Sequence, residues 1–137
     1  MDKRSRAREL TMQSLYQLDV QGNDAFDGLK EFFKESEKDI YIGQLAWDWM
    51  KGTWDNIAKC DELITAASIK WHFDRLSPVD KSILRLSVYH LKFCPDIPPK
   101  VVINEAIELA KKFSTDKSPA FVNGVLDAIL KKLSAPQ

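Results

Sequence analysis

The sequence predicts an all-α protein of about seven helices. Apolar residues recur at intervals of three and four along most of the 137 residues, and strand-like alternation is never sustained. Two Ser-Pro pairs mark places where helices should begin. The fold class therefore follows from the hydrophobic period and from the capping signals.

Composition is that of a globular protein. Hydrophobic residues make up 45% of the chain and charged residues 29%, which does not fit a disordered polar chain. No apolar run approaches the ~18 residues of a membrane span, and the charged N-terminus lacks the apolar core of a signal peptide. We therefore expect no membrane association and a cytoplasmic location. Cys60 and Cys94 have no CxxC partner and are expected to be buried thiols in a reducing compartment.

The charges are unevenly distributed although their sum is zero. Residues 1–8 carry four basic side chains against one acid, and residues 19–62 carry eleven acids against five lysines. Residues 71–137 hold ten bases against seven acids. Such a distribution suits a protein that binds a polyanion on one face and repels it from another.

Four helices are predicted in the N-terminal half. The first ends at Gly22 and Asn23, and its small-to-apolar stripe comprises Ala7, Leu10, Thr11, Ser14, Leu15 and Leu18. The next three are expected at about Phe26–Lys34, Ile40–Ile57 and Asp61–Ile69. The four tryptophans are predicted to belong to the core rather than to form base-stacking platforms: Trp47, Trp49, Trp54 and Trp71.

The fifth helix should start at Ser77-Pro78-Val79-Asp80, with Ser77 as the N-cap and Pro78 in the first position. Asp80 is expected to reach back to free backbone amides. The body of this helix, from Ile83 to Phe93, is apolar on most sides. We therefore predict a central helix that several others surround.

Prolines then close the fifth helix and open the sixth, and Ser118-Pro119 opens the seventh. The inward face of the sixth helix is predicted to comprise Ile103, Ala106, Ile107, Ala110 and Phe113, with a Glu108–Lys112 pair outside. The predicted stripe of the seventh is Val122, Val125, Leu126, Ile129 and Leu133. Gly124 interrupts that helix and is interpreted as a point of close helix approach.

Neither catalysis nor cofactor binding has a motif in this chain. His72 and His90 stand apart from one another, without HExxH and without Cys partners, and no GxGxxG or GxxxxGK[ST] string is present. We expect no enzyme activity, no cofactor and no metal.

The basic N-terminus is the candidate site that the residues themselves suggest. Lys3, Arg4, Arg6 and Arg8 precede Gln13 and Tyr16 on one predicted helix. Cations combined with hydrogen-bonding and aromatic side chains suit single-stranded RNA. The alternative is an ordinary solvated helix end.

Three blocks of the chain resemble the NusB family of bacterial transcription antitermination factors. They are RSRARELTMQSLYQL at Arg4–Leu18, RLSPVDKSILRLSVYHL at Arg75–Leu91, and PPKVVINEAIELAKKFSTDKSPAFVNGVLDAIL at Pro98–Leu130. The last block is the most specific. The resemblance implies a single NusB-like domain made of two packed helical bundles, at about residues 1–70 and 71–137.

The resemblance also implies a non-catalytic, RNA-binding function. A family member pairs with the ribosomal protein NusE, binds the boxA element of nascent RNA, and helps RNA polymerase pass terminators in ribosomal RNA operons. The expected partners are therefore single-stranded boxA-type RNA, NusE and the RNA polymerase antitermination complex. A homodimer is left open, because amphipathic helices can bury a face within or between chains.

Site residues follow from the same resemblance. Arg4, Arg6 and Arg8 match the family's RNA-contacting arm, and Lys3 extends it. Gln13 falls on the same matching helix and is a further candidate RNA contact. Phe121 matches an aromatic residue near the RNA path, with a helix-packing aromatic as the alternative, and Lys117 occupies a turn position near that path where a lysine should favour a polyanion.

The resemblance also implies two residues that contact the partner protein NusE. Tyr16 matches a tyrosine that the family uses toward NusE. His90 stands where glutamate is usual, so its contact is expected to be a neutral or pH-dependent hydrogen bond. The other interpretation of His90 is an ordinary surface histidine.

Three alternatives remain at this point. The first is an RNA-targeting domain related to that of RNA methyltransferases, although no methyltransferase motif follows in this chain. The second is a helical protein-interaction module that binds no nucleic acid. The third is an enzyme without a recognisable motif.

Overall fold

The computed structural model describes residues 2–68 and 76–135. In these two ranges it has seven α-helices and no strand, which confirms the all-α prediction. The helices are α1 (Lys3–Gln21), α2 (Phe26–Ser36), α3 (Ile40–Asp55), α4 (Ile57–Ala67), α5 (Pro78–Phe93), α6 (Pro99–Phe113) and α7 (Ser118–Ser134). A short 3-10 turn at Gly22–Ala25 joins α1 to α2. The predicted end of the fourth helix at Ile69, together with Trp71 and His72, lies outside the described residues.

The junction between α3 and α4 differs from the prediction. The first of these helices was expected to continue to Ile57, and the second to begin at Asp61. Asn56 separates them, because its side-chain Nδ2 donates to the carbonyl oxygen of Gly52 at 2.8 Å and so takes the place of a backbone donor. The fourth helix consequently begins one turn earlier than its apolar pattern indicates.

Two hydrophobic clusters fill the interior. The first lies mainly among α1, α2 and α3, and the second mainly among α4, α5, α6 and α7. Both α1 and α5 contribute to each cluster, for example with Leu10 in the first and Met12 in the second. The predicted division into bundles near residue 70 stays a prediction, and the buried side chains of α4 lie in the second cluster.

The first helix is buried along its predicted stripe, whose six members are at most 1% exposed. It runs in the same direction as α3, since Lys3 pairs with Asp39 near both helix starts and the Thr11 hydroxyl lies 3.2 Å from the carbonyl oxygen of Ala46. Side chains of its first turns also reach α6, where the Ser5 hydroxyl donates to Glu105 at 2.8 Å. These neighbours determine what surrounds the basic N-terminus.

The fifth helix is central, as predicted, and Ser77 caps it by accepting a hydrogen bond from the backbone of Asp80 at 3.1 Å. The Asp80 carboxylate does not reach back to the backbone as expected. It accepts instead from the hydroxyls of Ser114 and Ser118, at 2.7 and 3.1 Å. Asp80 therefore ties the start of α5 to the turn between α6 and α7.

The buried face of α6 is centred differently from the prediction. Val102, Ala106, Leu109 and Ala110 are buried, whereas Ile103 and Ile107 are only half-buried. The predicted Glu108–Lys112 pair is also wrong, because Lys112 binds Glu9 and Glu108 instead binds Lys111 at 3.4 Å. Glu9 is 5% exposed, and a buried carboxylate needs a cation more than a solvated one does.

The glycines behave differently from what their places in the sequence suggest. Gly124 is exposed, and a Cβ there would meet nothing within 4 Å, so it is not the predicted point of close approach. A Cβ on Gly52 would collide with the ring and hydroxyl of Tyr89. The contact that demands glycine therefore lies between α3 and α5.

Gly52→Ala should destabilise the protein by about 1–3 kcal/mol, the usual cost of forcing an extra methyl group into a packed interior. Gly124→Ala is the matched control, because the same change in an exposed helix should stabilise by up to about 1 kcal/mol. Urea unfolding of both variants measures the difference. Equal effects of the two changes would contradict the close contact with Tyr89.

Candidate nucleic-acid interface

Three helices begin around one cavity. The first turns of α1, α3 and α6 form its walls, and its volume is about 400 Å³. We call it the N-terminal cavity; its lining residues are Asp2, Lys3, Arg4, Arg8, Tyr41, Ile97, Pro98, Val101 and Glu105. Helix N-termini carry partial positive charge and unpaired amides, so three of them at one place favour a negatively charged ligand.

The three helix starts are capped differently. Asp2 accepts a hydrogen bond from the backbone of Ser5 at 2.8 Å in α1, and Asp39 accepts from Tyr41 and Ile42 at 2.9 and 3.3 Å in α3. The start of α6 has no side-chain cap, since Pro98 occupies the capping position. Pro99 has no N–H and the Val101 amide donates to the carbonyl oxygen of Pro98 at 2.9 Å, so the amide of Lys100 is the one that this helix start leaves to a ligand.

Three of the predicted arm residues are engaged in ion pairs, and two of these pairs are with the acidic segment. Lys3 lies 2.9 Å from Asp39, and Arg6 lies 3.1 Å from Glu37. A further Arg6 nitrogen donates to the carbonyl oxygen of Ser36 at 2.9 Å, at the end of α2. Part of the acidic segment 19–62 therefore neutralises the arm, a role that the sequence did not reveal.

The pKa values of these partners follow the same contacts. The hydrogen bond from Lys3 lowers the pKa of the Asp39 carboxyl and raises that of the Lys3 ammonium. The backbone amide of Asp39 lowers the pKa of Glu37, with a further contribution from Arg6. Both carboxyls are consequently ionised near neutral pH.

Arg4 and Arg8 lie one turn apart but in opposite environments. Arg4 is exposed, and within the described ranges its guanidinium has no ion pair. Arg8 is 3% exposed, with its guanidinium carbon 5.3 Å from the centre of the Trp49 ring. Burial lowers the pKa of Arg8, and Glu105, 3.6 Å away, opposes that effect. Arg4 is thus the arginine that a phosphate reaches from solvent.

His90 requires a correction. A partner contact and a surface histidine both need an exposed side chain, yet His90 is 1% exposed and packs 4.4 Å from the Trp49 ring, measured between ring centres. Burial lowers its pKa to about 3, and the positive charges of Arg8 and Arg4 add to this effect. The ring is therefore neutral and lies beyond the reach of a docked partner.

The remaining predicted residues lie further along the helices. Tyr16 is 40% exposed on α1, and Gln13 is half-buried one turn before it. Tyr16 lies about 20 Å along the helix axis from Lys3, at 1.5 Å per residue. Lys117 is exposed before α7, and Phe121 is half-buried against the second cluster, which also contains Met12. The structure thus brings the N-terminal residues together but leaves Tyr16 on a separate surface.

Several residues of this region have no counterpart in the predicted site. Tyr41 and Val101, 49% and 40% exposed, and Glu105 all line the N-terminal cavity. The only sequence signal for Tyr41 is its position two residues after the capping Asp39, where an aromatic side chain stands in a first helical turn.

Among residues 2–68 and 76–135, no group of His, Cys, Asp or Glu side chains could hold a metal ion. Nor is any helix in those ranges long and apolar enough to cross a membrane.

Comparison with known proteins gives matches over nearly the whole chain. The NusB family model matches residues 5–131. A transcription antitermination protein NusB from Bacillus licheniformis is 44% identical over 131 residues, which cover 96% of this chain and 98% of the relative. That of Geobacter sulfurreducens is 44% identical over 134 residues, covering 97% of both chains.

Solved structures that are similar to this chain include two that contain NusB. NusB of T. maritima has a TM-score of 0.86 and 37% identity, over 96% of this chain and 92% of its own. A crystal structure of the antitermination factors NusB and NusE in complex with double-stranded RNA also has a TM-score of 0.86, at 31% identity, over 96% of this chain and 98% of its own. A chain in the crystal structure of a plectonemic RNA supercoil has a TM-score of 0.90 and 30% identity, with full coverage of both chains.

Proposed function

This chain belongs to the NusB family, and we propose from that premise that it is a transcription antitermination factor that binds RNA together with NusE. The resemblance inferred from the sequence is confirmed by the family match over residues 5–131. The similar chain crystallised with NusE and RNA supports both partners. In the finer form of the proposal, the RNA is a boxA-type element, and the complex promotes read-through by RNA polymerase in ribosomal RNA operons.

One observation on this chain carries the RNA-binding part of the proposal. Lys3 and Arg4 are exposed at the place where three helix N-termini surround the N-terminal cavity. The cationic side chains and the start of α6, which no carboxylate caps, attract the same ligand, a phosphate group. Their combined field acts at one end of the molecule although the net charge is zero.

The affinity of this surface for RNA alone should be modest. Lys3 must exchange its contact with Asp39 before it can bind a phosphate, and Arg6 must exchange its contacts with Glu37 and Ser36. Arg8 is buried. The few remaining cations supply a salt-sensitive attraction without sequence preference. A partner that extends the surface is therefore needed for tight binding, and we propose that NusE docks on the face of α1 that exposes Tyr16.

The solved complex that contains NusE holds double-stranded RNA, whereas the residues of this chain favour a single strand. Exposed aromatic and cationic side chains bind unstacked bases, and an A-form duplex offers them mainly phosphates and 2′-hydroxyls. We propose a single-stranded ligand, and a comparison of single-stranded and duplex boxA RNA in the same binding assay tests this choice.

The double variant Lys3→Ala/Arg4→Ala should weaken RNA binding at low salt by about tenfold and lower the log–log salt slope by about 1.4, since each phosphate contact to a single strand contributes about 0.7. Fluorescence anisotropy with labelled boxA RNA and a scrambled RNA, with and without NusE, measures both quantities. Selective binding that NusE enhances would support the antitermination function.

Lys59→Ala/Lys131→Ala is the matched control, because it removes two exposed lysines from α4 and α7, where each forms a surface ion pair. These lysines should contribute little to RNA affinity. An equal loss in the control would mean that only the total charge matters. Absence of selective binding even in the presence of NusE would contradict the proposed function.

A further inference from the structure

The N-terminal cavity combines a recessed arginine, a carboxylate and an exposed aromatic ring. We propose that it is a guanine subsite, in which Tyr41 stacks on one unpaired base of the RNA and the Arg8–Glu105 pair binds the edge of that base. The inference rests on the proposed RNA-binding function and adds which base the protein selects and which residues select it.

Arg8 is the first support for a bound base. It lines the cavity, is 3% exposed, and within the described ranges its Nε has no hydrogen-bond partner. An unpaired donor on a buried charged group is costly. An acceptor brought by a ligand would satisfy it, and packing against Trp49 already holds the guanidinium in place.

Glu105 supplies the complementary half of the pair. Its Oε1 atom accepts from the Ser5 hydroxyl at 2.8 Å and lies 3.6 Å from Arg8 Nη1. Its Oε2 atom has no hydrogen bond to any of the described residues. The two residues that pair at 3.6 Å therefore each keep one polar atom, Arg8 Nε and Glu105 Oε2, without a hydrogen-bond partner among the described residues.

Guanine matches this arrangement better than adenine does. Arginine binds the acceptors O6 and N7 of guanine, which makes it the commonest side chain in specific contacts with that base. The donors N1–H and N2–H₂ lie next to O6 on the same base, where a carboxylate accepts from them. Adenine carries an amino group in place of O6, so it would direct a donor toward the donors of Arg8.

The rest of the cavity suits a stacked base with flanking phosphates. The Tyr41 ring is 49% exposed, and Pro98 and Val101 add apolar surface to the lining. A volume of about 400 Å³ falls within the roughly 300–1,000 Å³ of small-ligand sites. Lys3 and Arg4 line the same cavity and would bind the phosphates on either side of the base.

The test uses three labelled RNA hexamers that are uridine at every position except one, which is guanosine, adenosine or inosine. At low salt, the wild-type protein should bind the guanosine hexamer about tenfold more tightly than the adenosine hexamer. Inosine lacks the N2 amino group and should fall between them. Tyr41→Ala should weaken binding of the guanosine hexamer about tenfold, whereas Tyr41→Phe, which keeps the ring, should bind as the wild type does.

Glu105→Gln separates edge recognition from general affinity. Removal of a negative charge should not weaken binding of the adenosine hexamer, but the preference for guanosine should fall to about threefold or less, because an amide oxygen accepts less strongly than a carboxylate. Thermal melting of each variant verifies that the fold is kept. Tyr41 is on the surface, so its substitution should not unfold the protein.

The possible failures can be distinguished from one another. Equal binding of all three hexamers, or equal binding by Tyr41→Ala and Tyr41→Phe, would overturn the guanine subsite and leave the RNA-binding function standing. No binding of any RNA, including boxA RNA with NusE, would overturn both. A guanosine preference that Glu105→Gln retains in full would show that the selecting edge lies elsewhere and would also overturn the proposal.

Discussion

Arg85→Ala is expected to lower the free energy of unfolding by about 3–5 kcal/mol, because it leaves two partly buried carboxylates without their cation. The guanidinium binds Asp61 through two nitrogens at 2.8 and 2.9 Å and binds Asp19 through the third at 2.8 Å. Burial alone would lower the pKa of Arg85, but hydrogen bonds and charges from Asp61 and Asp19 raise it. This cluster joins α1, α4 and α5, and urea unfolding of the variant measures its contribution.

Lys51→Ala is the control for the loss of a cation. Its ammonium lies 2.8 Å from Asp55, as close as the Arg85 contacts, but both side chains are about half exposed. A surface pair of this kind contributes about 0–1 kcal/mol. A loss of less than about 1 kcal/mol in Arg85→Ala would mean that water replaces the guanidinium, and would contradict the structural role of the cluster.

Mild acid should destabilise the protein through His90. The folded-state pKa of about 3 lies below the ordinary 6.5, so the unfolded chain binds more protons in the interval between them. The stabilisation is therefore complete above about pH 6.5 and is lost as the pH falls toward 3. At pH 5 the loss amounts to about 2 kcal/mol, at about 1.4 kcal/mol per pH unit. Urea unfolding at pH 7 and at pH 5 measures it.

His90→Phe distinguishes this residue from the other titrating groups. Phenylalanine can keep the contact with Trp49 and cannot bind a proton, so most of the difference between pH 7 and pH 5 should disappear. The parallel variant His72→Gln measures the contribution of the second histidine. If the wild-type pH dependence persisted in His90→Phe, the buried imidazole would not be its source.

The sequence predicted the elements that depend on local patterns. The stripe of α1, the Ser77 cap and the apolar stripe of α7 are confirmed, because period and capping need only neighbouring residues. Contacts that join distant segments could not be predicted in the same way. One example is Lys112, which pairs with Glu9 and not with the predicted Glu108. Another is the glycine required at a close contact, which is Gly52 opposite Tyr89 and not Gly124.

The candidate site was predicted in its charges but not in its geometry. Lys3 and Arg4 are exposed as the basic arm requires, whereas Arg8 is buried against Trp49, a contact with a residue 41 positions away in the chain. Tyr41 and Glu105 enter the site only because α3 and α6 begin beside α1. A helical period indicates which side of a helix is buried, but not which helix covers it.

The sharing of α1 and α5 between the two hydrophobic clusters has a consequence for cooperativity. Neither cluster is complete without both helices, so the two halves should unfold in one transition, and the slowest-exchanging amides should lie in α1 and α5. Ligand binding stabilises whatever must unfold with its site. An RNA bound at the first turn of α1 would therefore slow amide exchange throughout the molecule, including in helices that it never touches.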